Sequence, residues 1–155
     1  MLKIFFDKFY AGRTGIGLLI LRLFVGAAFV LHGSGKLNDV AGFSAEYHVP
    51  YFMGAAAMLT QLLGGIFLIA GFLTPVAALG IASTVAVAAF MLVQKGEPFI
   101  NPNGHSWENA AFYTAAGICL ALLGAGRYSL DWLLFGRKRP DGEREAMGVS
   151  EPVVN

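Results

Sequence analysis

Cysteine is almost missing from this sequence, and the usual electron-carrying motifs are missing altogether. Cys119 is the single cysteine in 155 residues, so the chain cannot form an internal disulfide or a Cys-x-x-Cys redox pair. Cys119 itself lies in an apolar run, where packing is its expected role. The sequence has no haem-binding pair and no dinucleotide fingerprint. Any redox role would therefore need an electron donor on another protein.

Charged residues are also scarce, at 14% of the chain against 56% hydrophobic residues. The mean hydropathy is +0.62, which is too apolar for a soluble domain of this length and predicts an integral membrane protein. The four apolar runs, at roughly 15–33, 51–73, 76–93 and 107–124, are each interpreted as a membrane-spanning helix. Residues 34–50 are predicted to form a loop. The pair Gly64-Gly65 predicts a close approach of two helices, and Thr74-Pro75 predicts a tight helical hairpin. We predict an all-α fold, a transmembrane four-helix bundle with up-down-up-down topology over residues 15–135.

The segments that flank these runs predict the orientation. Residues 1–14 place large apolar side chains at helical spacing, which predicts an amphipathic segment in the membrane interface. Residues 136–155 are polar and are predicted to form a disordered tail. Because basic residues concentrate in the two terminal flanks, the positive-inside rule places both termini in the cytoplasm. With a formal net charge of +1 and no further basic stripe, no nucleic-acid partner is expected.

A few polar side chains interrupt the apolar runs. Arg22 lies inside the first run and Gln61 inside the second, and a cation at that depth is a candidate functional residue by default. His32 and Lys36 follow Arg22 at close to whole helical turns, so the three can share one helix face. The predicted topology joins these residues in an outward-facing polar cavity. Arg22 and Gln61 would form its floor. His32 and Glu108 would line its walls.

Such a cavity would suit a lipid-soluble carbonyl compound such as a quinone. Arg22 or Gln61 would donate to a ligand oxygen, while Glu108 and His32 are the predicted catalytic residues that move protons. The predicted ligand-binding residues are Arg22, Gln61, Lys36, Trp107, Asn109 and His105. No metal site is predicted, because His32, His48 and His105 would have to meet in space.

Each of these side chains also has a structural interpretation. Arg22 could be a structural cation, paired with Glu108 or with capping carbonyl groups. Gln61 could form an interhelical hydrogen bond. Glu108 could be a charge favoured by the N-terminus of its helix. Arg127 and Asp131, spaced i and i+4, predict a simple salt bridge at the membrane surface.

The sequence also carries a series of short motifs in a fixed order. They are Leu21-Arg22, His32-Gly33-x-x-Lys36, Gln61-Leu-Leu-Gly-Gly65, Gly71-Phe-Leu-Thr-Pro75, Asn103-Gly104, Trp107-Glu108 and Gly126-Arg-Tyr-Ser-Leu-Asp131. Together they resemble the DoxX family of small bacterial membrane proteins, over roughly residues 15–131. The resemblance implies a four-helix bundle in the bacterial inner membrane. Relatives commonly carry Glu at the position of Gln61, so here Glu108 becomes the expected counter-charge of Arg22.

The resemblance also implies the functional hypotheses. The family takes its name from the small subunit of an archaeal thiosulfate:quinone oxidoreductase, which implies a redox-linked membrane subunit with quinone as the candidate cofactor. The lipid bilayer, a partner redox protein and a second copy of the chain are the candidate partners. One alternative is a non-catalytic scaffold or chaperone for another membrane protein. A weaker alternative is a small-anion transporter, which would have to oligomerise.

Overall fold

The computed structural model describes residues 10–37, 39–102 and 104–136, and this part of the chain is helical without a strand. Five helices are followed by a short π-helical segment: α1 (Gly12–Lys36), α2 (Val40–Glu46), α3 (Tyr51–Ala70), α4 (Thr74–Gln94), α5 (Glu108–Leu123) and the π-helical segment Trp132–Gly136. The predicted interfacial segment 1–14 and the predicted tail 136–155 lie largely outside the described residues.

The four predicted spans correspond to α1, α3, α4 and α5. Within the described residues, α1, α3 and α4 are long and apolar enough to cross a membrane, and α5 is a shorter apolar helix. Its 16 residues extend for about 24 Å at about 1.5 Å per residue. The prediction of an all-α helical membrane bundle is confirmed.

The helices pack in the order α1, α3, α4, α5, and α5 returns to contact α1. Glycine makes the α1–α3 contact close. A Cβ atom added to Gly26 would lie 2.8 Å from the carbonyl oxygen of Gly65, and one added to Gly65 would lie 2.7 Å from the carbonyl oxygen of Gly26. Membrane helices associate through such small residues because lipid supplies no hydrophobic driving force between them. The predicted role of Gly65 in close helix approach is confirmed.

The apolar side chains divide between an interhelical core and an outer surface. The largest apolar side chains that are completely buried are Val25, Phe29, Leu68, Ile81 and Leu120. Many other large apolar side chains face outward, and Leu122 is 79% exposed. This distribution is expected for a bundle surrounded by lipid. Cys119 is also exposed, so its expected packing inside the bundle is wrong.

The bundle has two ends with different connections. We call the start of α1, the α3–α4 turn and the segment after α5 the N-terminal end. We call the end of α1, all of α2, the start of α3, the end of α4 and the start of α5 the loop end. At the N-terminal end, Gly71 ends α3 with φ +68° and Pro75 lies in the first turn of α4. The predicted tight helical hairpin is confirmed.

At the loop end, the connection between the first two spans contains α2, which was predicted as a loop. The Asp39 carboxylate accepts a hydrogen bond of 2.7 Å from the backbone N–H of Gly42 and caps the helix. Ser44 is buried against α3, where a Cβ atom added to Gly54 would overlap its hydroxyl oxygen. The missing side chain at position 54 therefore allows α2 to pack tightly on α3.

Candidate functional site

Arg22 lies at the N-terminal end of the bundle and is almost completely buried, at 1% exposure. Its Nη1 donates to the main-chain carbonyl of Ala125 at 2.5 Å, and its Nη2 donates to that of Tyr128 at 2.6 Å. Helical side chains point toward the N-terminus of their own helix, which carries this guanidinium away from the helix centre. Of the two structural alternatives for Arg22, the structure shows the one with capping carbonyl groups.

Asp131 is the acidic residue near this guanidinium, and the two charges attract each other. It is fully buried. Its two carboxylate oxygens accept hydrogen bonds from the backbone N–H groups of Leu73 (2.7 Å) and Thr74 (2.9 Å), at the start of α4. A carboxylate at a helix N-terminus satisfies unpaired N–H groups and is favoured by the helix dipole. We call Arg22, Asp131 and these main-chain partners the Arg22–Asp131 cluster.

The predicted Arg127–Asp131 salt bridge is wrong. The Arg127 side chain is exposed and lies over the Trp132 ring, with 5.2 Å between the guanidinium carbon and the ring centroid. Asp131 instead turns inward to the start of α4. The i, i+4 spacing presumes a regular helix, but Gly126 has φ +70° and the chain turns before Asp131.

The predicted cavity floor is not formed either, because Arg22 and Gln61 lie at different depths. A Cβ atom added to Gly71 would lie 2.5 Å from Nη1 of Arg22. Gln61 precedes Gly71 by ten residues on the same helix, about 15 Å along its axis. Glu108 begins α5 at the loop end, so the expected Arg22–Glu108 ion pair is also wrong.

Gln61 pairs with Lys36 instead. Lys36 Nζ donates to Gln61 Oε1 at 2.9 Å and joins the end of α1 to the middle of α3. The same ammonium lies 4.3 Å from the centroid of the Phe43 ring, which is a cation–π contact. Gln61 is buried at 6% exposure. Arg22 and Lys36 therefore do not act at a common face, but reach opposite ends of the bundle.

A cavity of about 270 Å³ opens beside the Lys36–Gln61 pair, between α2, α3 and α4. Most of its lining is apolar: Val49, Met53, Ala56, Ala57, Val87, Ala88 and Met91. The polar lining side chains are Lys36, Gln61, Thr60 and Thr84, and the aromatic ones are Phe43 and Tyr47. We call this cavity the α2 pocket. A mostly apolar cavity with a few polar groups at one side is typical of a site for a small molecule.

The two aromatic rings of α2 form one wall of this pocket. The Phe43 and Tyr47 centroids are 4.8 Å apart, and Lys95 Nζ lies 5.1 Å from the centroid of Tyr47. Burial raises the pKa of the Tyr47 hydroxyl, and the neighbouring Glu46 carboxylate raises it further. The hydroxyl therefore stays protonated at neutral pH, where it can donate as well as accept a hydrogen bond.

His32 faces a different part of the bundle. Its ring is exposed and lies 5.8 Å from the Phe29 ring and 6.3 Å from the Tyr113 ring, between centroids. These contacts place His32 at the junction of α1 and α5, outside the lining of the α2 pocket. This predicted catalytic residue therefore does not line the pocket, although Lys36, one helical turn further along α1, does.

The other predicted site residues close the connection between α4 and α5. Trp107 packs on Phe99 with centroids 4.5 Å apart, and the backbone N–H of Glu108 donates to the carbonyl of Phe99. The side chains of Glu108, Asn109 and His105 are exposed, and none of these four residues lines the α2 pocket. Among the described residues, no group of three His, Cys, Asp or Glu side chains could hold a metal ion.

Two of the eight predicted site residues, Lys36 and Gln61, therefore meet at a cavity. Sequence reasoning missed Phe43 and Tyr47. Their signal was present, because Val40, Phe43 and Tyr47 follow the i, i+3, i+7 spacing of one helix face. The helix has only seven residues, and such a short periodic stretch is easily taken for a loop.

Comparison with known proteins gives a consistent result. The DoxX family model matches residues 17–94. The inner membrane protein YqjF of Escherichia coli (strain K12) is 31% identical over 124 residues, which cover 77% of this chain and 92% of YqjF. CatD of Bacillus subtilis (strain 168), provisionally named an oxidoreductase, is 29% identical over 130 residues, covering 80% of this chain and 91% of CatD. No solved structure matches. The family resemblance and the predicted inner-membrane location are confirmed.

Proposed function

We propose that this chain, which belongs to the DoxX family of membrane proteins, binds a small apolar carbonyl compound of the quinone class in the α2 pocket, as the membrane subunit of a redox system. The observation that carries the proposal is the position of Lys36. Its ammonium belongs to the lining of a mostly apolar cavity. A ligand oxygen that enters there meets a charged donor, and the rest of the ligand meets apolar surface.

Lys36 has donor capacity left for such a ligand. An ammonium has three N–H donors. In the described structure Gln61 Oε1 accepts from one of them, and the face of Phe43 covers another side of the group. A carbonyl oxygen of the ligand would accept from the remaining donor. A hydrogen bond to a charged group contributes about 1.5–3 kcal/mol.

The shape of the pocket limits the size of the ligand. Its volume of about 270 Å³ lies just below the range of most small-molecule sites, which usually measure about 300–1,000 Å³. A ligand with one or two rings is the best match. The paired Phe43 and Tyr47 rings offer a wall on which a flat ring can lie, because aromatic pairs favour offset or edge contacts.

The redox part of the proposal is supported by the provisional name of CatD. Because the sequence lacks its own electron-carrying motifs, electrons would come from a partner protein. His32 and Glu108 remain predicted proton-moving groups. Both side chains are exposed at the loop end, so their proposed role is exchange of protons with the surrounding solution.

The orientation of the pocket follows from the positive-inside prediction, which places the loop end on the outer face of the membrane. Labelling tests this directly. In a Cys119→Ser background, the exposed side chain of Asn109 is replaced by Asn109→Cys, and intact cells are treated with a membrane-impermeant thiol reagent. We expect labelling. Protection in intact cells with labelling after lysis would place the pocket on the cytoplasmic side instead.

Ligand binding is tested by isothermal titration calorimetry of the purified protein in a neutral detergent. The probe is duroquinone, because its fully substituted ring does not add to lysine or cysteine side chains. We expect saturable binding that weakens about tenfold or more in Lys36→Met, which corresponds to the loss of about 1.4 kcal/mol or more. Arg13→Gln is the matched control, since Arg13 is an exposed cation at the other end of α1.

The outcome decides between the hypotheses. Equal affinities in the wild type, Lys36→Met and Arg13→Gln would show that duroquinone does not use the α2 pocket. The absence of saturable binding in the wild type would remove the ligand-binding function and favour the scaffold alternative.

A further inference from the structure

We infer that the physiological occupant of the α2 pocket is an amphiphilic anion, with an apolar body and one carboxylate or phenolate oxygen placed against Lys36. This inference rests on the proposed function in one respect: it uses the same pocket. It narrows the quinone class to compounds that also carry an ionised oxygen, because the carbonyl oxygen of a plain quinone is neutral.

The first argument is the charge balance of the pocket. Among the described residues, its lining contains the Lys36 ammonium and no Asp or Glu. The two described contacts of the ammonium are an amide oxygen and the face of an aromatic ring. Both are attractive, but neither carries a formal negative charge. The positive charge of Lys36 is thus solvated in part and left uncompensated at the edge of an apolar cavity.

The second argument concerns the carboxylates nearest to this pocket along the chain, which have other roles. Asp39 caps α2 through the backbone N–H of Gly42. Glu46 is exposed, and its charge acts on Tyr47. A second cation, Lys95, lies over the outer aromatic ring of the wall. Among the residues that the structure describes, two ammonium groups therefore contact the aromatic wall, and no carboxylate lines the cavity.

The third argument is physical. A charge beside apolar surface is stabilised most by an opposite charge in direct hydrogen-bonding contact. A neutral carbonyl would accept one hydrogen bond and leave the charge of Lys36 in place. A carboxylate or phenolate oxygen would accept the same bond and compensate the charge. The pocket should therefore prefer the anion of two ligands that have the same shape.

The experiment compares two such ligands by calorimetry at neutral pH in a neutral detergent. The probes are 2-naphthoate and 2-naphthamide, which share the two-ring body and differ in the charge of the head group. We expect 2-naphthoate to bind about tenfold more tightly to the wild type. In Lys36→Gln this preference should disappear, while Arg13→Gln, which changes an exposed cation elsewhere on α1, should keep it.

A second variant supplies a carboxylate from the protein itself. Gln61 Oε1 already accepts from Lys36, so Gln61→Glu would pair the ammonium with a charge at the same position. We expect this variant to lose the preference for 2-naphthoate over 2-naphthamide, because the ammonium is then compensated by the protein. A preference that survives Gln61→Glu would contradict the proposed role of the uncompensated charge.

Failure of this inference is distinguishable from failure of the proposed function. Equal binding of the two naphthalene probes, together with Lys36-dependent binding of duroquinone, would overturn the anion preference and keep the pocket as a quinone site. No saturable binding of any of the three probes would overturn both.

A last arm separates a free ligand from a membrane lipid as the source of the anion. The protein is placed in nanodiscs of phosphatidylcholine with or without phosphatidylglycerol. Undiminished 2-naphthoate binding in the phosphatidylglycerol discs would support a free amphiphilic anion. Weaker binding of both 2-naphthoate and 2-naphthamide in the phosphatidylglycerol discs than in the phosphatidylcholine discs would instead show that an anionic lipid occupies the pocket.

Discussion

The two ends of this bundle contain a cation from the same helix, but only one end supplies it with a carboxylate. At the N-terminal end, Arg22 is 1% exposed, donates to two carbonyl groups and has Asp131 nearby. At the loop end, Lys36 is partly exposed and contacts one amide oxygen and one ring, beside a cavity. Both cations occupy buried or half-buried positions that are costly for an unpaired charge.

The difference indicates what each end does. The Arg22–Asp131 cluster joins α1, the start of α4 and the segment after α5, and both of its charged side chains are buried. Its hydrogen bonds and its charge pair are therefore expected to stabilise the fold. The Lys36–Gln61 pair joins only α1 and α3 and leaves donor capacity that faces a cavity. The comparison therefore predicts that substitutions at the first end change the free energy of unfolding, and that substitutions at the second end change ligand affinity.

The largest expected effect is that of Arg22→Met. Methionine replaces the apolar stem of Arg22 with one of similar length. It removes the donors to Ala125 and Tyr128 and leaves Asp131 buried without its cation. Breaking a buried charged network by removal of one partner costs about 3–5 kcal/mol. The measurement is the free energy of unfolding from titration with sodium dodecyl sulfate in mixed micelles.

Arg22→Lys provides the matched comparison. It keeps the charge, but a single ammonium cannot reproduce the planar fork that donates to two carbonyl groups. We expect a loss between that of Arg22→Met and zero. A stability of Arg22→Met within about 1 kcal/mol of the wild type would show that the cluster does not hold this end together.

The next effect is that of Asp131→Asn. The amide keeps one acceptor oxygen, so one of the two backbone N–H groups, at Leu73 or Thr74, loses its partner and Arg22 loses its counter-charge. Leaving a buried donor without a partner costs about 1–3 kcal/mol. The same unfolding titration measures it. Thr74→Val is the control, because Thr74 Oγ1 is buried without a hydrogen-bond partner among the described residues. A larger loss in the control than in Asp131→Asn would contradict the assigned role of the carboxylate.

The sequence predicted the helices well because apolar runs are long and their period is repeated many times. The boundaries of the four spans fall within three residues of α1, α3, α4 and α5. The hairpin was equally clear, since Gly71 and Pro75 mark a helix end and a helix start. The contact of Gly26 with Gly65 was predicted only in part. Gly64-Gly65 predicts a close helix contact, but it does not indicate which helix is the partner.

The site was harder to predict for reasons that lie in the side chains and the main chain. The principal acceptors of Arg22 are carbonyl groups, which every residue has, so no sequence letter marks Ala125 or Tyr128. The depth of Arg22 was also misjudged, because its long side chain carries the charge toward the N-terminus of α1. Lys36 and Gln61 were both predicted as ligand-binding residues, but their contact depends on how α1 packs on α3.

A smaller effect is expected for Gly65→Ala. Gly65 lies in the contact between α1 and α3, between the two ends of the bundle. The new methyl group would stand 2.7 Å from the carbonyl oxygen of Gly26, which is backbone and cannot rotate away. The two helices would have to separate, and such overpacking costs about 1–3 kcal/mol. Unfolding titration measures the cost. Gly17→Ala is the matched control, since nothing lies within 4 Å of its added methyl group. Equal effects of the two variants would show that α1 and α3 can move apart freely.

The smallest expected effect on stability is that of Lys36→Gln, and its small size is what sharpens the comparison between the two ends. The substitution removes a donor to Gln61 and a cation from the Phe43 ring, but Lys36 is partly exposed and its loss leaves no buried carboxylate unpaired. We expect a change of less than about 1 kcal/mol in the free energy of unfolding, as for other exposed or half-exposed charge contacts.

Stability is measured by the same titration, and ligand affinity by calorimetry on the same preparation. A loss of several kcal/mol would make the Lys36–Gln61 pair a structural cluster like that of Arg22. Wild-type stability with weakened ligand binding would separate the two ends, because one cation would then support the fold and the other would serve the pocket.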